Sequence, residues 1–203
     1  MQRGKLTLEH TPRLGCVVMA AGNARRFGAN KLAAQWDGKS LIRRAMEAVP
    51  TELYGRRVVV TQYPEIAELA KELSFTPIEN TRPDLGISHT VALGLAALAD
   101  CDAVLFQVSD QPLLRRETVA ALTEFYLSRP ECIAALSHGG IRGNPCIFPA
   151  RFFPELMALT GDRGGSAVIK RHPEALVLWE SDAGQLADVD TPAALEALRQ
   201  TQT

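Results

Sequence analysis

Between Leu14 and Trp179 the chain alternates short apolar runs with amphipathic stretches, and this alternation limits the fold more than any other feature. Strands that read as unbroken apolar runs are buried on both faces, and helices joining them give βαβ units in a largely parallel sheet. Leu14 to Ala21 (LGCVVMAA) reads as a buried first strand, and Ser40 to Val49 as a helix with Leu41, Ile42, Ala45, Met46 and Val49 on one face. Gly22 to Lys39 is the loop between them. Strand signals at Arg57 to Thr61 and Phe75 to Ile78 bracket a helix at Pro64 to Leu73. Next come a helix at Ser88 to Leu98 capped by Ser88, a strand at Ala103 to Val108, and a helix at Arg116 to Leu127. Cys132 to Leu136 and Asn144 to Phe148 flank SHGGIRG like a hairpin and add an antiparallel element. Helical stretches at Arg151 to Leu159 and Ser166 to Arg171 and a strand at Leu176 to Trp179 follow. Thr191 caps a last helix with Pro192 at its first position, where a missing N–H costs nothing. The predicted fold is a three-layer Rossmann-like α/β domain.

A chain of 203 residues fits one such domain, read here as residues 14–203 behind a polar leader, 1–13. The opening residues Met1 to Arg13 hold no apolar run of signal-peptide length and no stretch is long enough to span a bilayer, so a soluble, cytoplasmic protein is expected. A net charge of -1 supplies no global field to gather nucleic acid or an anionic membrane. Anion binding must therefore come from a local cluster. Cys16, Cys101, Cys132 and Cys146 form no C-x-x-C pair and read as free thiols rather than a zinc site.

Open α/β sheets bind ligands outside the carboxyl ends of their strands, which singles out the loop after the first strand and the loop holding Asp110. The first of these runs Gly22-Asn23-Ala24-Arg25-Arg26-Phe27-Gly28-Ala29-Asn30-Lys31. Glycines let backbone N–H groups approach phosphate oxygens, and Arg26 and Lys31 can neutralise the charge so cradled. The segment is neither a G-x-G-x-x-G fingerprint nor a P-loop ending in Gly-Lys-Ser/Thr.

Ala20-Ala21-Gly22 followed by Arg26, Gly28 and Lys31 resembles the signature of nucleotidyltransferases, and later segments are similar to the molybdenum cofactor cytidylyltransferases. Asn80 to Gly94, with Gly86, Ser88 and Thr90, resembles that group's nucleotide-binding segment. Asp110-Gln111-Pro112 resembles its metal-binding turn, and Gly143-x-Pro145, Gly161-Asp162-x-Gly164 and Asp188-x-Asp190-Thr191-Pro192 follow in the family's order. The likeness runs from about Leu14 to the last helix. Asn144 stands where many members have His, and Ser109 where Gly is usual.

The resemblance implies transfer of CMP from CTP to the terminal phosphate of molybdopterin, releasing pyrophosphate. Two polyanions must meet, and Mg2+ suits that task because it binds carboxylates together with substrate phosphates. Asp110 and Asp190 are the implied ligands, with Asp188 as the alternative to Asp190. Arg26, Lys31 and Asp110 are the candidate catalytic residues. Ala20, Ala21, Gly22, Asn23, Arg26, Gly28, Lys31, Asn80, Gly86, Ser88 and Thr90 are candidates for the nucleotide, Asn144 and Asp162 for the acceptor. Ala21 stands where related guanylyltransferases carry Gly, and its methyl group narrows the base site against a purine. A guanylyltransferase, a sugar-phosphate nucleotidyltransferase and a non-catalytic nucleotide-binding relative remain the alternatives. The implied partners are the two substrates and, transiently, a molybdoenzyme or its chaperone.

Overall fold

A computed structural model describes residues 11–22 and 31–200. Its main sheet takes β1 (Leu14–Ala20), β4 (Arg56–Thr61), β5 (Thr76–Glu79), β6 (Ala103–Val108), β7 (Ile133–His138), β8 (Ile141–Pro149) and β9 (Leu176–Glu180). A two-residue pair, β2 (Gln35–Trp36) and β3 (Lys39–Ser40), stands apart. The helices are α1 (Leu41–Glu47), α2 (Pro64–Glu72), α3 (Ile87–Ala97), α4 (Arg116–Leu127), α5 (Phe153–Met157), α6 (Gly165–Arg171) and α7 (Pro192–Gln200).

The strands lie in the order β5-β4-β1-β6-β8-β7-β9. Pairs β5/β4, β4/β1, β1/β6 and β7/β9 are parallel, and β8 runs antiparallel to both β6 and β7. The chain winds outward from β1 to β5, then returns to β1's other side with β6. That reversal is the topological switch point where such sheets open a ligand crevice. The predicted hairpin is present, turning at Gly139 and Gly140, and its second strand inserts next to β6.

Alternation along β1 explains the two buried layers. Cys16, Val18 and Ala20 face one cluster with Met46, Val119 and Leu122, while Val17 faces another with Val91, Leu95 and Leu156. On that second face α3 lies against the sheet at Gly94, where a Cβ would stand 2.7 Å from Val17. Cys16, Cys101 and Cys146 are buried, Cys132 is partly so, and all four are free. Among the described residues no helix is long and apolar enough to cross a membrane.

Four sequence readings need correction. The stretch from Gly22 to Lys39 is not wholly loop: Lys31–Ala33 forms a 3-10 turn, and β2 and β3 make a hairpin with positive φ at Asp37 and Gly38. Helix α3 begins at Ile87 after Gly86, and Ser88 does not cap it. The stretch from Arg151 to Leu159 splits into a 3-10 turn at Ala150–Phe152 and the short α5. The third strand lies one residue further on than predicted, at Thr76–Glu79. Thr191 caps α7 as expected, its hydroxyl accepting from the Ala194 N–H at 3.1 Å.

Candidate active site

The carboxyl ends of β1 and β6 run side by side, Met19 pairing with Val108, and the chain leaves both into one cleft of about 440 Å3. That is ample for a small ligand. Ser109 fastens the two ends, its hydroxyl donating to the Met19 carbonyl at 2.6 Å. This gives the departure from Gly at that position a structural task. From the end of β4, Gln62 Nε2 donates to the Ala21 carbonyl at 2.8 Å and the Tyr63 hydroxyl to the Gly22 carbonyl at 3.2 Å. The exit from β1 is thus held from both flanking strands.

Three distant segments meet on the cleft floor. Lys31 Nζ donates to Asp110 Oδ2 at 2.9 Å and to Asp190 Oδ1 at 3.0 Å. Asp190 reaches this point because its segment is strapped to the Asp110-Gln111-Pro112 turn. The Val189 N–H donates to the Asp110 carbonyl at 2.8 Å, Gln111 Nε2 donates to Asp188 Oδ1 at 3.0 Å, and the Arg115 N–H donates to Gln185 Oε1 at 3.1 Å. Asp188 and Asp190 are therefore separated by partner: Gln111 takes the first and Lys31 the second.

Burial by itself would lower the Lys31 pKa, but Asp110 and then Asp190 outweigh it through charge and hydrogen bonding, and the ammonium is held above its ordinary value. Asp188 moves the other way from a usual paired carboxylate. Although it keeps contact with solvent, desolvation by the protein around it raises its carboxyl pKa, and the negative charge of Asp110 adds to the rise. Two carboxylates aimed at one cation form an all-oxygen donor set of the kind hard divalent ions take. Among the described residues no group of three or more His, Cys, Asp and Glu side chains is placed to hold an ion, so further ligands would come from substrate and water.

The opposite wall comes from the start of α3 and the Gly161–Gly164 loop. Gly86 has φ +84°, and a Cβ there would stand 2.5 Å from the Gly161 carbonyl carbon and 2.6 Å from Asp162 Oδ1. Only glycine lets these two loops touch. The Ser88 N–H closes the junction by donating to the Gly161 carbonyl at 3.1 Å. Thr90, Gly86 and Asp162 line the cleft together with Ala21, Gly22 and Lys31. Asn80 and Ser88 are buried behind that wall; Asn80 Nδ2 donates to Thr90 Oγ1 at 3.2 Å, and Asn80 Oδ1 accepts from the Arg82 N–H at 3.0 Å. Ala20 is fully buried in β1 beneath.

Asn144 lies away from the main cleft, in two smaller cavities that adjoin it. Asn23, Arg26 and Gly28 fall outside the described residues. Sequence reasoning missed Gln62, Tyr63 and Asp84 around the cleft. The first two immediately follow β4, the strand beside β1, and Asp84 lies inside the Asn80 to Gly94 segment already singled out.

Residues 16–176 match the family of MobA-like NTP transferase domains. Purine catabolism protein PucB of Bacillus subtilis is 26% identical over 206 residues, covering 95% of this chain and 99% of PucB. A probable molybdenum cofactor guanylyltransferase of the same organism is 26% identical over 143 residues, 69% of each chain. Among solved structures, a nucleotidyl transferase from Methanothermobacter thermautotroptrophicus (Mth528) superposes with a TM-score of 0.78 at 19% identity, covering 93% of this chain and 97% of that one.

Proposed function

We propose that this chain, which belongs to the MobA-like NTP transferase domain family, moves CMP from CTP to the terminal phosphate of a molybdopterin-type cofactor. The nucleotidyltransferase class follows from family and fold; the donor, the acceptor and the residue roles are our reading. The observation that carries it is the meeting of Lys31 and Asp110 in the switch-point cleft, with Asp190 bonded to Lys31 beside it.

In the reaction an acceptor phosphate oxygen attacks the α-phosphorus, a new P–O bond forms, and the bond to the β-phosphate oxygen breaks as pyrophosphate departs. Asp110 and Asp190 would hold Mg2+, which stabilises charge on the transferring group and on the leaving pyrophosphate. Lys31 supplies a point charge to the phosphates, and Arg26, Asn23 and Gly28, outside the described residues, are assigned to the same phosphates from the sequence. The Gly22 backbone and Thr90 face the same cleft and contact the nucleotide, while Asn80 and Ser88 hold Thr90 and Gly86 in place. Asp162 and Asn144 orient the acceptor from the far side.

Support for CTP comes from Ala21, a residue that lines the cleft where a Gly would leave more room. A purine, being larger, meets the Ala21 methyl group first. GTP is the second reading, favoured by the guanylyltransferase name of the Bacillus subtilis relative. Pyrophosphate release measured with CTP, GTP, ATP and UTP, with and without molybdopterin, separates them. CTP should be fastest, and only when the cofactor is present. Faster turnover with GTP overturns the cytidylyl assignment, and release that ignores molybdopterin overturns the acceptor.

A further inference from the structure

Beyond the cleft floor, some of the described arginines have a carboxylate within ion-pair distance and others, Arg142 among them, do not. Arg13, Arg43, Arg44, Arg56, Arg82, Arg116, Arg171 and Arg199 each lie within ion-pair distance of a carboxylate. Arg142, half-buried on β8, instead donates from Nη2 to Ser166 Oγ at 2.8 Å and lies with Nη1 3.7 Å from Cys146 Sγ. The thiol does not neutralise it, since burial pushes the Cys146 pKa up and keeps the sulfur protonated. Asp188 shares the cavity, but its hydrogen bond is with Gln111. A guanidinium fixed by a neutral hydroxyl and left with open donors is arranged to receive an anion.

Its place in the fold gives that anion a role. Arg142, Asn144 and Ser166 line both of the smaller cavities, of about 380 and 250 Å3. The second shares the walls Met19, Ile87, Val108 and Asp162 with the main cleft, so the three spaces form one continuous groove. Phe106 pairs with Cys146 in the antiparallel β6/β8 register. Beyond that last pair β8 carries Arg142 and β6 runs out at Val108 toward Asp110, so both residues lie past the same end of the paired segment.

We propose that Arg142, oriented by Ser166, anchors the phosphate of the acceptor that takes the nucleotidyl group. This rests on the transfer reading above and adds the residue that selects an anionic acceptor. A phosphate needs such an anchor because it must be brought up to a triphosphate of the same sign. The planar fork offers two parallel N–H donors to phosphate oxygens, whereas a lysine would offer a point charge.

The test uses the full chain labelled with 15N-arginine, with the Arg142 Nε–H resonance assigned by its loss in Arg142→Lys. Inorganic phosphate should move that resonance saturably, chloride at equal ionic strength should not, and Ser166→Ala should weaken the response. A stationary resonance, or equal shifts with chloride, overturns the anchor. With molybdopterin and CTP, Arg142→Lys should raise the acceptor KM roughly tenfold or more, the effect of losing a charge-assisted hydrogen bond. The KM for CTP should stay within about twofold, since Arg142 lies outside the main cleft. A raised CTP KM with an unchanged acceptor KM moves Arg142 to the nucleotide side and also overturns the proposal. If the parent protein transfers nothing to molybdopterin, the proposed function fails, and the phosphate titration still decides Arg142 by itself.

Discussion

Lys31 occupies the place where a divalent ion would also be drawn, bonded at once to Asp110 and Asp190. Ammonium and metal therefore compete for the same two carboxylates, and the competition gives a signed prediction. Lys31→Ala should bind Mn2+ or Mg2+ more tightly without nucleotide, yet its transfer rate should fall roughly a hundredfold, the scale of losing one preorganised contact to developing charge. Asp110→Asn should lose both metal binding and turnover. Calorimetric metal titration beside pyrophosphate release checks the pair, and weaker metal binding by Lys31→Ala would refute the competition. Stability should change by no more than about 1 kcal/mol, because these groups keep contact with water. Lys31 stabilises the fold where its raised pKa keeps it charged, and this is lost only as pH rises past the ordinary value of 10.5. Each of the three residues was legible as a motif member. Their meeting was not, since 79 and 159 residues separate Lys31 from its two partners. Nor was the division between Asp188 and Asp190, which depends on the Gln111 side chain.

The elements around the site show which local signals held and which lost to tertiary contacts. Asp37-Gly38 between Gln35-Trp36 and Lys39-Ser40 is a two-residue hairpin signal that sequence reasoning passed over in favour of a plain loop. At α3 the reverse happened. Serine is a favoured cap, so Ser88 drew the helix start, but the Gly161–Asp162 loop approaches too closely for any side chain at position 86. No local rule carries information about a neighbour so distant in sequence. Gly86→Ala consequently meets both a left-handed φ of +84° and the Gly161 backbone. It should destabilise the protein by about 1–3 kcal/mol and lower nucleotide affinity, because the wall bearing Thr90 and Asp162 must part. Gly55→Ala, where a Cβ meets nothing within 4 Å, is the matched control and should stay within about 0.5 kcal/mol of the parent. Denaturant melts of the two variants check the contrast, and equal stabilities would remove the close approach as the reason for glycine.

Across the whole molecule the parallel half of the sheet was readable from strand–helix alternation, and so was a hairpin near Gly139-Gly140. The insertion of β8 between β6 and β7 was not, because strand order after a hairpin depends on which edge of the sheet stands open. The same holds for how the early loop region and the last helix come together over the site. Trp36 and Leu41 pack with Val189 and Leu195 in a small cluster separate from the two sheet-facing cores. Arg199 Nη2 adds a bond to the Gln35 carbonyl at 2.8 Å. This cluster flanks both Lys31 and Asp190 in sequence, so it fastens the two halves of the cation site without belonging to the main core. Trp36→Ala should therefore act locally. Removing a buried Trp costs about 3–5 kcal/mol at a well-packed position. Here the loss should fall on the fastening of α7, because β1 and β6 retain their own cores. Amide hydrogen exchange should accelerate across residues 189–200 while β1 and β6 stay protected, and turnover should drop because Asp190 leads into α7. Uniform acceleration through β1 and β6 would mean that the cluster is part of one cooperative core. Unchanged exchange in α7 would mean that Trp36 does not hold it.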